Sequence, residues 1–165
     1  MKKLILTLLV ALPMSVFAQK FAHFNSGDVI QAMPEYTAAI AEIQKTEKDY
    51  TDELKRMQDE LRTKIDEYSK NEATMVEAVK TRRQTEIQDL NKRFEEYYRL
   101  SQEEIEKLRN TKMNVISEKV GKVVKEIGDA GGYVYIMDLT QGIPYISTTL
   151  STDITAQIKA KLGLK

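Results

Sequence analysis

The chain has 165 residues, one domain's worth, with 25 basic against 25 acidic side chains, no Cys, no Trp and a single His. A formal net charge of zero gives no strong pull toward nucleic acid or an anionic membrane. Without Cys there are no disulfides and no Cys–His nucleophile, and a lone imidazole makes a zinc site or a Ser–His–Asp nucleophile implausible.

Residues 1–18 read as a secretory signal. Lys2 and Lys3 form a positive start, and residues 4–16 form an apolar stretch too short to span a bilayer. Val16-Phe17-Ala18 places small residues where a signal peptidase needs them, so cleavage leaves Gln19 first. Loss of Lys2 and Lys3 takes the basic count from 25 to 23 against 25 acids, a net of −2. The product is expected to be exported and soluble.

Residues 20–25 alternate as a short strand, with Phe21 in one phase and Ala22 and Phe24 in the other. Asn25 or Ser26 suits the cap of a helical turn that buries Val29, Ile30 and Met33. Pro34 ends that turn and fits the first position of the next helix.

From Tyr36 the apolar positions step by four and three through Ile40, Ile43, Tyr50, Leu54, Met57, Leu61, Ile65 and Tyr68, with Glu47 as the polar intruder. A helix over 35–69 is about 50 Å long. The pattern lapses over 69–74, the expected turn; a single continuous helix is the other reading, since no Gly or Pro marks a break. A second helix is expected from about Met75 to Ile127. Its seam runs through Val79, Arg83, Ile87, Leu90, Phe94, Tyr97, Ser101, Ile105, Leu108, Lys112, Ile116, Val120, Val123 and Ile127. Residues 128–132 stop it. Residues 133–139 read as a strand, Gln141-Gly142 as a turn, and 143–147 as another strand, with Pro144 confining it to an edge. Ser151 or Thr152 can cap a last helix bearing Ile154, Ile158 and Leu162.

The predicted architecture is α+β: a small β body from 19–34 and 128–165, and a long antiparallel coiled-coil hairpin over 35–127. Three short strands make a marginal sheet with unpaired edges. A homo-oligomer whose strands share a barrel is therefore expected, burying Phe21, Phe24, Val134, Ile136 and Ile146. No catalytic, cofactor or metal residues are proposed. His23 reads as a plain strand residue, and the acidic pairs Glu95-Glu96 and Glu103-Glu104 as solvated helix faces. Met75, Tyr98, Leu100 and Met113 fall off the seams and are the expected adaptable contacts for an apolar partner.

Taken in order, Lys20 to Asn25, Glu53-Leu54-Lys55-Arg56-Met57 with Leu61, Arg83-Gln84-Thr85, Phe94-Glu95, Val134 to Asp138, Tyr145 and Asp153-Ile154-Thr155 resemble the Skp/OmpH family of periplasmic chaperones for outer-membrane proteins. The resemblance implies a homotrimer whose β body joins three coiled-coil arms around a cavity. Unfolded outer-membrane barrel proteins are held there without ATP and without a cofactor. Members of that family are strongly basic and draw acidic clients and anionic lipid. This chain is near neutral, and only Lys92, Arg93 and Arg99 stand where a basic cluster on the arm would be, so a transient contact with membrane lipid stays open. The alternative from another class is a structural spacer that uses its hairpins as a bridge. A regular, well-filled seam and a conspicuous patch at the tip would favour it.

Overall fold

The structure, a computed structural model, describes residues 19–164. The expected signal segment lies outside the described residues. In chain order the elements are β1 (Lys20–Phe24), α1 (Ser26–Gln31), α2 (Pro34–Asn71), a 3-10 turn (Glu72–Thr74), α3 (Glu77–Gly131), β2 (Tyr133–Asp138), a 3-10 turn (Leu139–Gln141), β3 (Ser151–Asp153) and α4 (Thr155–Lys161).

Local chemistry explains most of the boundaries. Asn25 caps α1: its side-chain oxygen accepts from the Asp28 N–H at 3.1 Å. Met33 is extended (φ −79°, ψ 128°), and Pro34 opens α2, where a missing N–H costs nothing. At the far end of α3 the sequence-expected stop is displaced. The helix runs through Gly128 to Gly131, and Gly132, left-handed at φ 65°, turns it off while its N–H returns to the Gly128 carbonyl. Gly131 has no room for a side chain, because a Cβ there would run into the Tyr133 ring.

The tip also differs from the expected turn at 69–74. Ser69, Lys70 and Asn71 stay helical, since nothing in them breaks a helix, and the reversal falls at Glu72 to Val76. The Tyr68 hydroxyl donates to Glu72 at 2.8 Å and accepts from the Gln84 amide at 2.7 Å, which joins the two helices beneath the turn.

The sheet order is β2-β1-β3, and both pairings are parallel. Parallel strands require a crossover that returns the chain to its starting level. Here the hairpin is that crossover. At 55 residues, α3 is 17 longer than the 38-residue α2, an excess of about 25 Å that carries it past the start of the arm and down beside the sheet. Lys20, at the first residue of β1, donates to the Gly131 carbonyl at 3.2 Å, which marks the level reached.

The third strand is not where its pattern placed it. Residues 143–147 are irregular, and the strand that pairs with β1 is Ser151–Asp153. Pro144 has no N–H to give a ladder. After it, the Ser147 hydroxyl accepts from the Leu150 N–H at 3.1 Å and turns the chain. Ser151 and Thr152 are therefore strand residues and not the cap of α4. The cap position falls to Ile154, which has no side-chain cap bond, while the Asp153 carboxylate just before it accepts from the Thr155 N–H at 2.8 Å.

One face of the sheet carries the core. Ala22 and Phe24 pack with Val29 and Met33 of α1 and its exit, Ala39 of α2, Ile116, Val120 and Ile127 of α3, and Ile154 and Ile158 beside and within α4. Val29, Ile154 and Ile158 are completely covered.

Candidate functional surfaces on the body and the arm

Among the described residues no helix or sheet layer covers the second face of the sheet, and only the irregular segment with Tyr145, Ile146 and Leu150 borders it. Phe21 and Tyr135, opposite one another in the β1–β2 register, stack with ring centroids 6.4 Å apart and planes 6° from parallel. With Met137, Tyr145, Ile146 and Leu150 they line an apolar groove of about 190 Å³. Tyr145 and Leu150 are 79% and 77% exposed. His23 shares this strand face and lies 2.8 Å from the Ser151 hydroxyl through Nδ1.

The five residues expected to join subunits separate in the structure. Phe21 and Ile146 line the outer groove. Phe24 is buried in the protomer's own core, and Ile136 packs against that core. Val134 stands near an irregularity: Lys20 opposes Tyr133 while Phe21 opposes Tyr135, so β2 carries one extra residue there. That bulge puts Tyr135 and Met137 on the outer face. Strict alternation cannot reveal a bulge, although the aromatic content of residues 133–135 was the available signal.

Two carboxylates pin the body loops. Burial pushes the Asp138 carboxyl up, but hydrogen bonds from Ser26 and Thr140 outweigh it and hold the group below its ordinary value. The Asp153 carboxyl is held down first by hydrogen bonds from Thr155 and also by the neighbouring His23.

Along the arm the seam positions come together as their spacing predicts. Ile43 and Leu90 are buried, and Tyr50 meets Tyr97 edge to face at 5.8 Å. The polar members find partners. Glu47 accepts from Arg109 at 2.8 Å, and Lys112 donates to Glu42 at 2.6 Å. Ser101 is 1% exposed and donates back to the Tyr98 carbonyl. Lys119 pairs with Glu35 at the base. Toward the tip the order of charge inverts, with Lys64 on α2 and Glu86 on α3 at 2.9 Å. Lys64 and Arg83 hold the Glu86 carboxyl below its ordinary range.

The seam remains open at its flanks. Gaps of about 570 Å³ beside Tyr50 and Tyr97, and about 310 Å³ beside Leu54 and Ile105, face solvent. Of the expected contact residues, Tyr98 and Leu100 are 53% and 43% exposed. Two residues apart on one helix, they point to different flanks. Met75 is half-buried in a groove under the tip with Lys64, Tyr68 and Ile87. Met113 turns inward and packs against the body core. Exposed apolar residues that the sequence reading did not single out are Val76 at the tip and Val115 near the base. Arg99, of the basic trio, is engaged by Glu103.

Among the described residues no helix is long and apolar enough to cross a membrane, and no group of acidic or His side chains is placed to hold a metal ion.

A body with one uncovered sheet face and a projecting helical hairpin has known counterparts. Residues 20–162 match the model of the OmpH-like outer membrane proteins, and the chain belongs to that family. It is 24% identical over 154 residues to the chaperone protein Skp of Photorhabdus laumondii, spanning 91% of this chain and 93% of that one. It is 23% identical over 156 residues to the chaperone protein Skp of Yersinia enterocolitica, spanning 93% and 94%. The solved structure of an OmpH-like protein from Caulobacter crescentus shares the fold, with a TM-score of 0.73 at 14% identity over 87% of this chain and 83% of that one.

Proposed function

We propose that this protein is a periplasmic holdase chaperone: it takes up unfolded outer-membrane proteins and keeps them from aggregating, without ATP and without catalysis. The observation that carries the reading is the pairing of two unsatisfied surfaces. Among the described residues an apolar sheet face on the body is left open, and a long arm has a seam open along its flanks. The relatives named chaperone Skp, similar from end to end, support it.

In this reading three copies meet through the outer sheet faces. Phe21, Tyr135, Met137, Tyr145 and Leu150 are buried there, and the irregular segment after Gly142 is packed. Residues 19–34 and 128–164 form the joined body, and the hairpins project from it around a shared cavity. Clients are held by many weak contacts, whose effect is multiplied by the high effective concentration inside the enclosure. Tyr98, Leu100 and Met75 supply adaptable apolar contacts, and near-neutral charge leaves apolar contact as the main attraction.

The test has two stages. Mass in solution should be that of a trimer, and Tyr135→Ser with Leu150→Ser should reduce it to a monomer. The trimer should then keep an outer-membrane barrel protein soluble after dilution from urea with no nucleotide present. A monomer that leaves the barrel protein to aggregate would sink the reading. Replacing Met75, Tyr98 and Leu100 together by Ser should weaken client binding while the trimer persists; unchanged affinity would remove those residues from the contact surface.

The spacer reading has one feature in its favour, Val76, which is 68% exposed at the tip. If Val76→Ser abolishes attachment to an envelope complex while client protection is unchanged, the spacer reading gains.

A further inference from the structure

We propose that α3 carries a swivel at Gly121, on which the arm tilts against the body. The ion pairs Glu35–Lys119 and Glu42–Lys112 fix the level of the two helices. They set Gly121 opposite Met33 and Pro34, where α1 has ended and α2 begins. Among the described residues, α3 is the only helix that runs unbroken from body to arm at this level. Its stiffness therefore governs the angle between them.

Gly is the poorest helix former after Pro, and an interior helical Gly normally has a packing reason. Among the described residues there is none: a Cβ built at Gly121 meets nothing within 4 Å. The site is exposed, and nothing braces it from outside. Lys125, one turn on, is paired along its own helix with Asp129, and Ser117, one turn back, is a small exposed residue. On the opposite side of the helix Ile116 is buried in the core and Val123 packs against it. The helix thus has a greasy pivot on its inner side and a weak point on its outer side. Ser and Gly one turn apart are a common setting for helix bends. Use of the swivel to widen a client cavity rests on the holdase reading; the swivel itself does not.

The chain has no Cys, so a spin-label pair can be placed cleanly at Glu104→Cys on the arm and Gln157→Cys on α4, in particles diluted with unlabelled copies. The distance distribution is then compared with that of the same pair carrying Gly121→Ala. The expected result is a narrower distribution, with a roughly fivefold fall in the bent population, the factor to which the Gly-to-Ala difference in helix propensity corresponds. The unfolding midpoint should rise by roughly 2–4 °C. Adding Ser117→Gly to Gly121→Ala should restore the width. An unchanged width overturns the proposal. So does dissociation of the assembly by Gly121→Ala, which would make the glycine a close contact between copies. Client protection is measured separately, so failure of the swivel and failure of the chaperone reading give different results.

Discussion

Body and arm contain similar kinds of apolar residue but treat them differently. In the body, Val29, Ile154 and Ile158 are wholly covered because a sheet, two short helices and α3 close on them from several sides. Above the layer of Ala39 and Ile116, the arm buries only Ile43, Leu90 and Ser101. Tyr50, Leu54, Met57, Leu61 and Ile105 stay half-open, since each has a single facing helix to cover it. The lesson is that a two-helix seam can satisfy the heptad pattern and still leave much of its apolar surface near water. A binding arm benefits from that openness, whereas the body needs closure to carry a long lever.

The comparison can be broken most directly at Ile154. Ile154→Ala should cost about 2–5 kcal/mol, because the void has covered walls on every side; urea unfolding would read it, and a loss below about 1 kcal/mol would mean that the body is as loosely packed as the arm. Leu90→Ala, in the arm, should lie at the low end of that range, about 2 kcal/mol, since solvent reaches the site and the cavity collapses.

Acid should act on the body through Asp138 and Asp153. Both carboxyls lie below their ordinary value of 3.8 in the folded chain. The stability they contribute is complete above that value and is lost as pH falls through the lower folded-state values. Thermal unfolding followed from pH 5 down to pH 2 should show the decline, and Asp138→Asn should flatten it. The smallest effect belongs to the arm's ion pairs. Glu47→Gln, which leaves Arg109 with only its looser partner Glu106, should cost no more than about 1 kcal/mol and should matter less still in high salt. A large, salt-insensitive loss would show the arm seam to be drier than its exposure indicates.

Much of the candidate surface was hidden from sequence for one reason. The alternation in residues 133–138 distinguishes two faces of a strand but does not say which is covered, and the extra residue near Val134 shifts the phase midway. Ile136 went to the core for that reason, while Tyr135 and Met137 took the outer face; Phe24 joined the core simply because it shares the phase of Ala22 on the covered side of the first strand. Met113 was misplaced on similar grounds. It lies off the arm seam, but at its level α3 has already met the body, so a second covered face exists.

By itself the sequence determined the two long helices and the start of the first, but it placed their reversal and the end of the second a few residues early. The three-and-four spacing of apolar residues, Asn25 as a cap and Pro34 at a helix start are local rules, and each held in the folded chain. Tertiary structure alone decided three things: that all strands run parallel, that Ser151–Asp153 rather than residues 143–147 completes the sheet, and which sheet face is left bare. Those outcomes depend on how far α3 overshoots the start of α2 and on which face it then covers. Both are matters of contact between segments more than a hundred residues apart, such as Lys20 with Gly131, and no local pattern encodes them.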